Sequence, residues 1–387
     1  MRMLVLGAGL QGSACAYDLL QNPAIAEVHL ADRESASLPA FLAPFLDSPR
    51  LRRIELDARD HAAARRAMEG TRAVMCALPY YFNLDMTRLA IDAGAHFSDL
   101  GGNTEIVVRQ KALDALARSK GVTVIPDCGL APGMVNILAQ LGIGKLDSVS
   151  SVKIYVGGLP QAPEGPLKYQ IVYSLEGVLD YYTTLSWVLR GGKRHQVVAL
   201  SERVNVDFPA PVGTLEAFHT AGGLSTMAFR YEGKIPTMEY KTLRYPGHAQ
   251  IMEDIRSLGL LDLEPVMTKD GTRVIPRDAF VATVGPRLTK PAGQDLVALR
   301  VTVEGTNGGK PAFWGRELID YFDAAHGISS MMRCTGYSLA ITGLLQAAGE
   351  VRPAGVHTPD ECMPGDRYVA ELAARGVLVK ELAKLPA

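Results

Sequence analysis

Cysteine is scarce and badly placed for cross-links. The five residues, Cys15, Cys76, Cys128, Cys334 and Cys362, are scattered, odd in number and lack a C-x-x-C spacing. That excludes a disulfide framework and argues against a zinc site, so no metal is expected and the thiols are expected to be reduced, as in a cytoplasm. Net charge is lacking too. Lys and Arg number 40 against 41 Asp and Glu, a formal charge of −1, so no broad attraction to nucleic acid or membrane is expected. Arg50-Leu51-Arg52-Arg53 reads as a solvated loop cluster. No apolar run is long enough to span a bilayer. No internal repeat or low-complexity tail is visible, and the first strand occupies the place of a signal peptide. What remains, 387 residues with 48% hydrophobic and 21% charged, is the composition of a globular enzyme with room for two domain cores.

The richest feature stands at the N-terminus. The apolar run Met3-Leu4-Val5-Leu6 leads into Gly7-x-Gly9-x-x-Gly12, and a second run, Val28-His29-Leu30-Ala31, ends in Asp32. Gly7 lets the chain turn out of the strand, and Gly9 lets a pyrophosphate approach the backbone. Gly12 lets the next helix pack closely, with the N–H groups of its first turn, at Leu10 and Gln11, facing the phosphates. Asp32 stands where a carboxylate accepts the adenosine ribose hydroxyls, which favours NAD over NADP because it repels a 2′-phosphate. Arg33 bears on the same choice: it reads equally as a phosphate-binding guanidinium and as a solvated loop charge.

Strands and helices alternate through the first third. Strands are predicted at 53–57, 73–79, 95–99 and 122–126, and helices near 36–46, 60–69, 83–93 and 105–119. With the two opening strands this makes six, the number of a doubly wound parallel Rossmann sheet. Ligands bind at the carboxyl ends of such strands, which puts Asp57, Ala77-Leu78-Pro79, Asp99 and Asp127-Cys128-Gly129 at the crevice. After Pro132-Gly133 comes an apolar helix to about Leu141. Strand-like runs follow at 149–156, 196–206, 226–230, 237–244 and 296–305, with hairpin turns at 269–271 and 307–309 and a loop at 157–167. They predict an α+β domain on a mainly antiparallel sheet. A late helix near 329–347 and a short one near 366–375 close the chain. The expected division is 1–131, 132–328 and 329–387.

Several polar clusters can carry chemistry. Asp99-Leu100-Gly101-Gly102-Asn103 lies near the expected nicotinamide, where its carboxylate can hold an ammonium or act as a base, or simply cap the next helix. Asp127 sits where the chain leaves the sheet. Tyr173-Ser174-Leu175-Glu176-Gly177 reads first as a helix N-cap. Glu216-Ala217-Phe218-His219-Thr220, followed by Gly222-Gly223-Leu224-Ser225-Thr226, interleaves polar residues with glycines and fits a binding loop or a plain turn. Lys241-Thr242-Leu243-Arg244-Tyr245-Pro246-Gly247-His248 puts cations and an imidazole at one strand end, with Lys241 and Arg244 on opposite faces. Arg244 can fork onto a carboxylate, or be a surface charge.

Together these segments resemble the saccharopine dehydrogenase-like family over almost the whole chain. The resemblance is carried by Val5–Leu10, Asp99–Gly102, Ile125–Met134, Ser174–Gly177, Leu215–Thr220, Glu239–Tyr245 and Gly247–Ala249. The 215–220 and 239–249 segments point to its lysine-oxidising branch; Cys128 departs from the aliphatic residue expected there. The resemblance implies a C-terminal segment that returns to the Rossmann domain, a homodimer or higher homo-oligomer, and a small amino-acid substrate. It implies NAD-dependent oxidative deamination of the ε-amine of L-lysine to allysine, which cyclises to Δ1-piperideine-6-carboxylate. The roles expected on this basis are Asp99 or Asp127 orienting the amine and His219 or His248 moving protons. Arg244 with Lys241 would take the α-carboxylate, Glu176 would hold the α-ammonium, and Tyr173 would line the site. Two alternatives stand beside this reading. One is a saccharopine dehydrogenase acting on a secondary amine, which should demand more cations. The other is a nucleotide-sensing module without turnover.

Overall fold

The computed structural model describes residues 1–34, 38–290, 293–351 and 353–383. The first sheet holds β1 (Arg2–Leu6), β2 (Glu27–Asp32), β3 (Leu51–Glu55), β4 (Ala73–Cys76), β5 (His96–Asp99) and β6 (Thr123–Ile125). The central strands β1 and β4 are apolar and buried on both faces, as a parallel sheet covered by helices requires. The register is parallel throughout, in the order β6-β5-β4-β1-β2-β3.

A seventh strand, beyond the six expected, pairs parallel with β6: Gly355–Val356, β17 in chain order. Two residues are too short for a period-2 pattern to show. The helix Ser330–Ala347 precedes it. It packs along the helix Leu10–Gln21, where Gly336 leaves no room for a Cβ between Ala14 and the Gln11 carbonyl. The end of the chain thus covers one face of the nucleotide sheet.

The second sheet contains β7 (Ser148–Pro160), β8 (Ser186–Arg190), β9 (Lys193–Val197), β10 (Val204–Asp207), β11 (Thr214–His219) and β12 (Thr237–Arg244). Two long strands, β15 (Asp295–Asn307) and β16 (Lys310–Tyr321), and the short β18 (Lys380–Glu381) complete it. Its order is β10-β11-β12-β7-β15-β16-β18, antiparallel except for β12 beside β7. The turn at 269–271 joins the separate two-stranded ribbon β13 (Val266–Met267) and β14 (Arg273–Val274).

Five expectations are corrected. Residues 105–119 form two helices, Thr104–Lys111 and Asp114–Ser119. Asp114 begins the second and accepts the Val356 N–H, tying it to β17. The run 196–206 is broken, because Leu200 and Glu202 adopt positive φ between β9 and β10. Residues 227–230 are a helical turn whose buried Met227 receives Asn136 Nδ2, an apolar run too short for its period to be read. Glycines 157 and 158 belong to β7 rather than to a loop; a Cβ at 157 would collide with the Leu243 carbonyl of β12. The expected helix near 36–46 is a 3-10 turn over Ala40–Phe45, its first residues lying outside the described ones.

Candidate active site

The cofactor end is built by β1, β2 and the helix Leu10–Gln21. Gly7 has φ +93° and donates its N–H to Ala31 O at 2.7 Å, closing the turn against β2. A Cβ on Gly12 would run into the Gly7 carbonyl, whereas one on Gly9 meets nothing within 4 Å. That open space is the cradle a pyrophosphate needs. Both polar atoms of the Gln11 side chain are buried without a partner among the described residues, so the first helical turn holds a donor and an acceptor in reserve. Leu10 is exposed beside it. Asp32 Oδ2 accepts the Ala8 N–H at 2.6 Å and Oδ1 the Glu34 N–H at 3.1 Å, which locks the ends of β1 and β2 together. Arg33 pairs with the exposed Glu34. Asp57 is held by Arg59 at 2.5–3.0 Å, and that bonding lowers its carboxyl to about 2. Ala77 and Leu78 pack against Gly7, and the exposed Pro79 follows them. These residues fit a dinucleotide.

At the ends of β5 and β6 stand two buried acids. Asp99 is fully buried and spent: Oδ1 accepts from Gly101 N at 2.7 Å and Asp127 N at 3.2 Å, and Oδ2 from Gln110 Nε2 at 2.7 Å. Burial raises its carboxyl to about 6 against those hydrogen bonds. Asp127 has φ +63°, an uncommon backbone state for a non-glycine residue that tends to cluster at functional sites. Among the described residues its Oδ1 is buried without a well-formed hydrogen bond, and the Ser225 hydroxyl, itself without one, stands close enough to act on the carboxyl. Burial pushes Asp127 up to about 8; Ser225 opposes the shift and the Asp99 charge adds to it.

The other wall comes from the second sheet and the helix Leu175–Thr183, which Ser174 caps by accepting the Gly177 N–H. Along β12, Tyr240, Thr242 and Arg244 share the face turned to the nucleotide domain. Gly223 is required beside Tyr240, whose ring fills the space of a Cβ. Tyr181 lies against Gly102 and Gly222, next to Asp127 and Tyr240. Beyond it, Tyr173, Tyr169 and Tyr182 surround Arg244. The guanidinium stacks on the Tyr169 ring, 4.9 Å from its centre. Arg244 is 3% exposed. Its Nη1 donates to Leu243 O, its Nε has no partner, and no carboxylate among the described residues pairs with it. The other buried guanidiniums, Arg277 and Arg300, pair with Asp180 and Glu317. A buried charge without its counter-ion costs several kcal/mol, a cost that a bound anion would offset.

The domain models of one family fit these two halves. The saccharopine dehydrogenase NADP binding domain matches residues 3–125 and the saccharopine dehydrogenase C-terminal domain matches 129–377.

The chain belongs to the saccharopine dehydrogenase family.

Curated relatives include a saccharopine dehydrogenase [NADP(+), L-glutamate-forming] of Pyricularia oryzae, 25% identical over 228 residues, which are 54% of this chain and 48% of that protein. The mitochondrial alpha-aminoadipic semialdehyde synthase of Rattus norvegicus is 28% identical over 207 residues, 51% of this chain and 22% of that protein. The match thus spans about half the length of the first and about a fifth of the second. Among solved structures, the apo saccharopine dehydrogenase (L-Glu forming) of Saccharomyces cerevisiae superposes with a TM-score of 0.79 at 21% identity, covering 98% of this chain and 99% of that one. The homospermidine synthase of Legionella pneumophila gives 0.70 at 12% identity over 99% and 91%. These likenesses show the fold.

Within this saccharopine dehydrogenase fold, not all the expected site residues meet. Lys241 and His219 lie opposite each other in register on β12 and β11, on the face away from Arg244. There Lys241 Nζ donates to Glu202 O, and His219 Nε2 lies 3.0 Å from Glu202 Oε2. Arg190 bridges Glu202 and Glu239 at 2.8 and 2.6 Å. Glu202, His219 and Glu239 are close enough to share an ion, but Arg190 and Lys241 already supply the positive charge, and the cluster reads as an ion-pair network. The alternation of a strand separates Lys241 from Arg244, so the expected joint grip on a carboxylate is not formed.

His248 is on the site's face but spent. Its Nδ1 donates to Leu167 O at 2.9 Å, since a carbonyl only accepts; Nε2 therefore accepts from Tyr182 OH at 3.0 Å. Burial, with the Arg244 charge, lowers it to about 3. Its bonds fix Tyr182 and leave neither ring nitrogen free. Glu216 accepts the Gly247 and Ala249 N–H groups and caps the helix His248–Ser257. Glu176 is exposed in the first turn of Leu175–Thr183. Gly129 sits in the crossing loop, its carbonyl accepting from Met134 N and Ser338 Oγ. Sequence reasoning missed Tyr169, Tyr181 and Tyr182. Tyrosines in a loop and on an amphipathic helix look like packing, and only the fold shows that they converge.

Proposed function

We propose that the protein is a nicotinamide-dependent dehydrogenase that oxidises the ε-amine of L-lysine and releases ammonia. The observation that supports this most is the pairing of opposite needs along one run of neighbouring tyrosines. A buried guanidinium without a counter-ion lies at one end and a buried carboxyl with a free oxygen at the other, with tyrosines between. A substrate with a carboxylate at one end and an amine at the other satisfies both. Lysine's amine titrates near 10.4 in water. Asp127, already raised to about 8, is a far stronger base than an ordinary aspartate. It takes a proton from the entering ammonium and frees the lone pair that assists hydride loss from the neighbouring carbon. A bound oxidised nicotinamide supplies the acceptor for that hydride. Water adds to the resulting iminium carbon and passes one proton to the nitrogen; as ammonia leaves, the remaining hydroxyl proton goes to solvent, the carbonyl forms, and the protonated Asp127 gives its proton to the departing ammonia. Asp99 holds the loop that aims Asp127, and Arg244 anchors the far carboxylate.

For the cofactor the reading is NAD, because Asp32 stands at the end of β2 where a 2′-phosphate would be repelled. NADP is the second reading, favoured by Arg33 and Arg59 near Asp57 and by the description of the matching domain model. Saccharopine is the second substrate reading, favoured by the names of the relatives. It carries more carboxylates, yet Arg244 is the one buried guanidinium among the described residues without a carboxylate partner. A sensor without turnover leaves the reserve of Asp127 unexplained. Ammonia release from lysine, matched mole for mole to reduced cofactor, tests the proposal; cofactor reduction without ammonia would contradict it.

A further inference from the structure

Tyr169 is 4% exposed, and its hydroxyl is buried with no hydrogen-bond partner among the described residues. Tyrosine buried this deeply normally finds a partner, because an unmade bond costs the full desolvation of the group. The ring is held by two neighbours, with the Arg244 guanidinium 4.9 Å from its centre and the His248 ring edge-on at 5.5 Å. His248 is in turn fixed by Leu167 O and Tyr182 OH and stacked on Phe218. The side chain is therefore rigid, and its hydroxyl is held within electrostatic reach of the guanidinium. The unpartnered Arg244 Nε belongs to the same group. Two buried donors that have no acceptor, on neighbouring side chains of which one is cationic, match the two oxygens of a carboxylate.

We propose that Tyr169 is a specificity-determining residue that, with Arg244 Nε, forms a two-donor clamp for the substrate carboxylate, so that the site selects amino acids over simple alkylamines. The proposal rests on the reading of this pocket as the substrate site, and it adds a donor that the reading does not need. The clamp explains why Tyr169 is braced by His248: a donor held in place gives up no rotamer freedom when the acid binds. Tyr182 is not equivalent, because its hydroxyl proton is already given to His248 Nε2.

The test is calorimetric titration of the full chain with two probes, L-norleucine and n-hexylamine, in wild type, Tyr169→Phe and Arg244→Met. Norleucine carries the carboxylate without the reacting amine; hexylamine carries the amine without the carboxylate. Loss of one hydrogen bond to a charged group predicts that Tyr169→Phe binds norleucine about tenfold or more weakly and hexylamine within about twofold of wild type. Arg244→Met loses norleucine more completely. Because the hydroxyl makes no internal bond, Tyr169→Phe should melt no lower than wild type. Equal affinity of wild type and Tyr169→Phe for norleucine overturns the clamp, and so does a lowered melting temperature, which would reveal an internal partner. Turnover is measured separately. A protein that binds norleucine through Tyr169 but does not oxidise lysine retains the clamp and loses the proposed reaction; one that oxidises lysine while Tyr169→Phe binds norleucine normally does the reverse.

Discussion

The backbone N–H of Asp127 donates to Asp99 Oδ1 at 3.2 Å, so one buried acid spends an oxygen on the loop that presents the other. Asp99 is satisfied by three donors and Asp127 keeps an oxygen free. Two aspartates that look interchangeable in the sequence thus have different work, and the predictions follow from the difference.

Asp127→Asn should lower turnover about 100-fold or more while nucleotide binding persists. The kcat/KM profile of the wild type should rise through about pH 8, the position of the free enzyme's base. The same substitution should stabilise the protein in alkali. The folded carboxyl lies above its ordinary 3.8, so its contribution to stability is whole below 3.8 and is lost as pH rises through about 8. Melting curves should show the variant higher by a few degrees near pH ~9 and little changed near pH ~4.

Asp99→Asn should shift the acid limb of that profile to lower pH, because a neighbouring negative charge is removed and Asp127 ionises more readily. Asp99→Ala strands the Gly101 N–H, the Asp127 N–H and the Gln110 amide together, and should cost about 2–4 kcal/mol in denaturant unfolding.

His248→Gln should leave no missing limb near neutrality in the pH profile, since the imidazole is neutral in the fold. Its folded value near 3 lies below the ordinary 6.5, so its contribution to stability is whole above 6.5 and is lost as pH falls toward 3. The variant should therefore lose less stability than wild type over that acid window. A variant profile that loses a limb between pH ~6 and ~7 would make His248 a proton carrier.

Gly9→Ala and Gly12→Ala separate cofactor from fold. A methyl at 9 meets nothing within 4 Å among the described residues and should leave the melting temperature unchanged while weakening NAD about tenfold or more. A methyl at 12 meets the Gly7 carbonyl and should lower both.

Much of this was legible in the chain because it is local. Gly7, Gly9, Gly12 and Asp32 lie within one βαβ unit, and their roles follow from backbone sterics alone. The parallel sheet was readable from buried apolar strands, although β17 is too short to announce itself. The pocket was readable only in part. Arg244 and Asp127 stood out as charged residues near strand ends, but the alternation that sends Lys241 and His219 to the far face becomes decisive only when the register of β11 against β12 is known. The bonds that occupy His248 come from Leu167 and Tyr182, 81 and 66 residues away. Tyr169 is a site residue solely because a bonding partner is missing, and no sequence displays that.

The central claim is that Arg244 and Asp127 together select a primary amine with a distant carboxylate. The most direct test is the initial rate of cofactor reduction with L-lysine and with saccharopine, each with NAD and with NADP, in wild type and Arg244→Met. The account predicts reduction of NAD with lysine, with kcat/KM about 100-fold or more lower in the variant at unchanged NAD affinity. Reduction with saccharopine alone, or an Arg244→Met variant as fast on lysine as wild type, would contradict it.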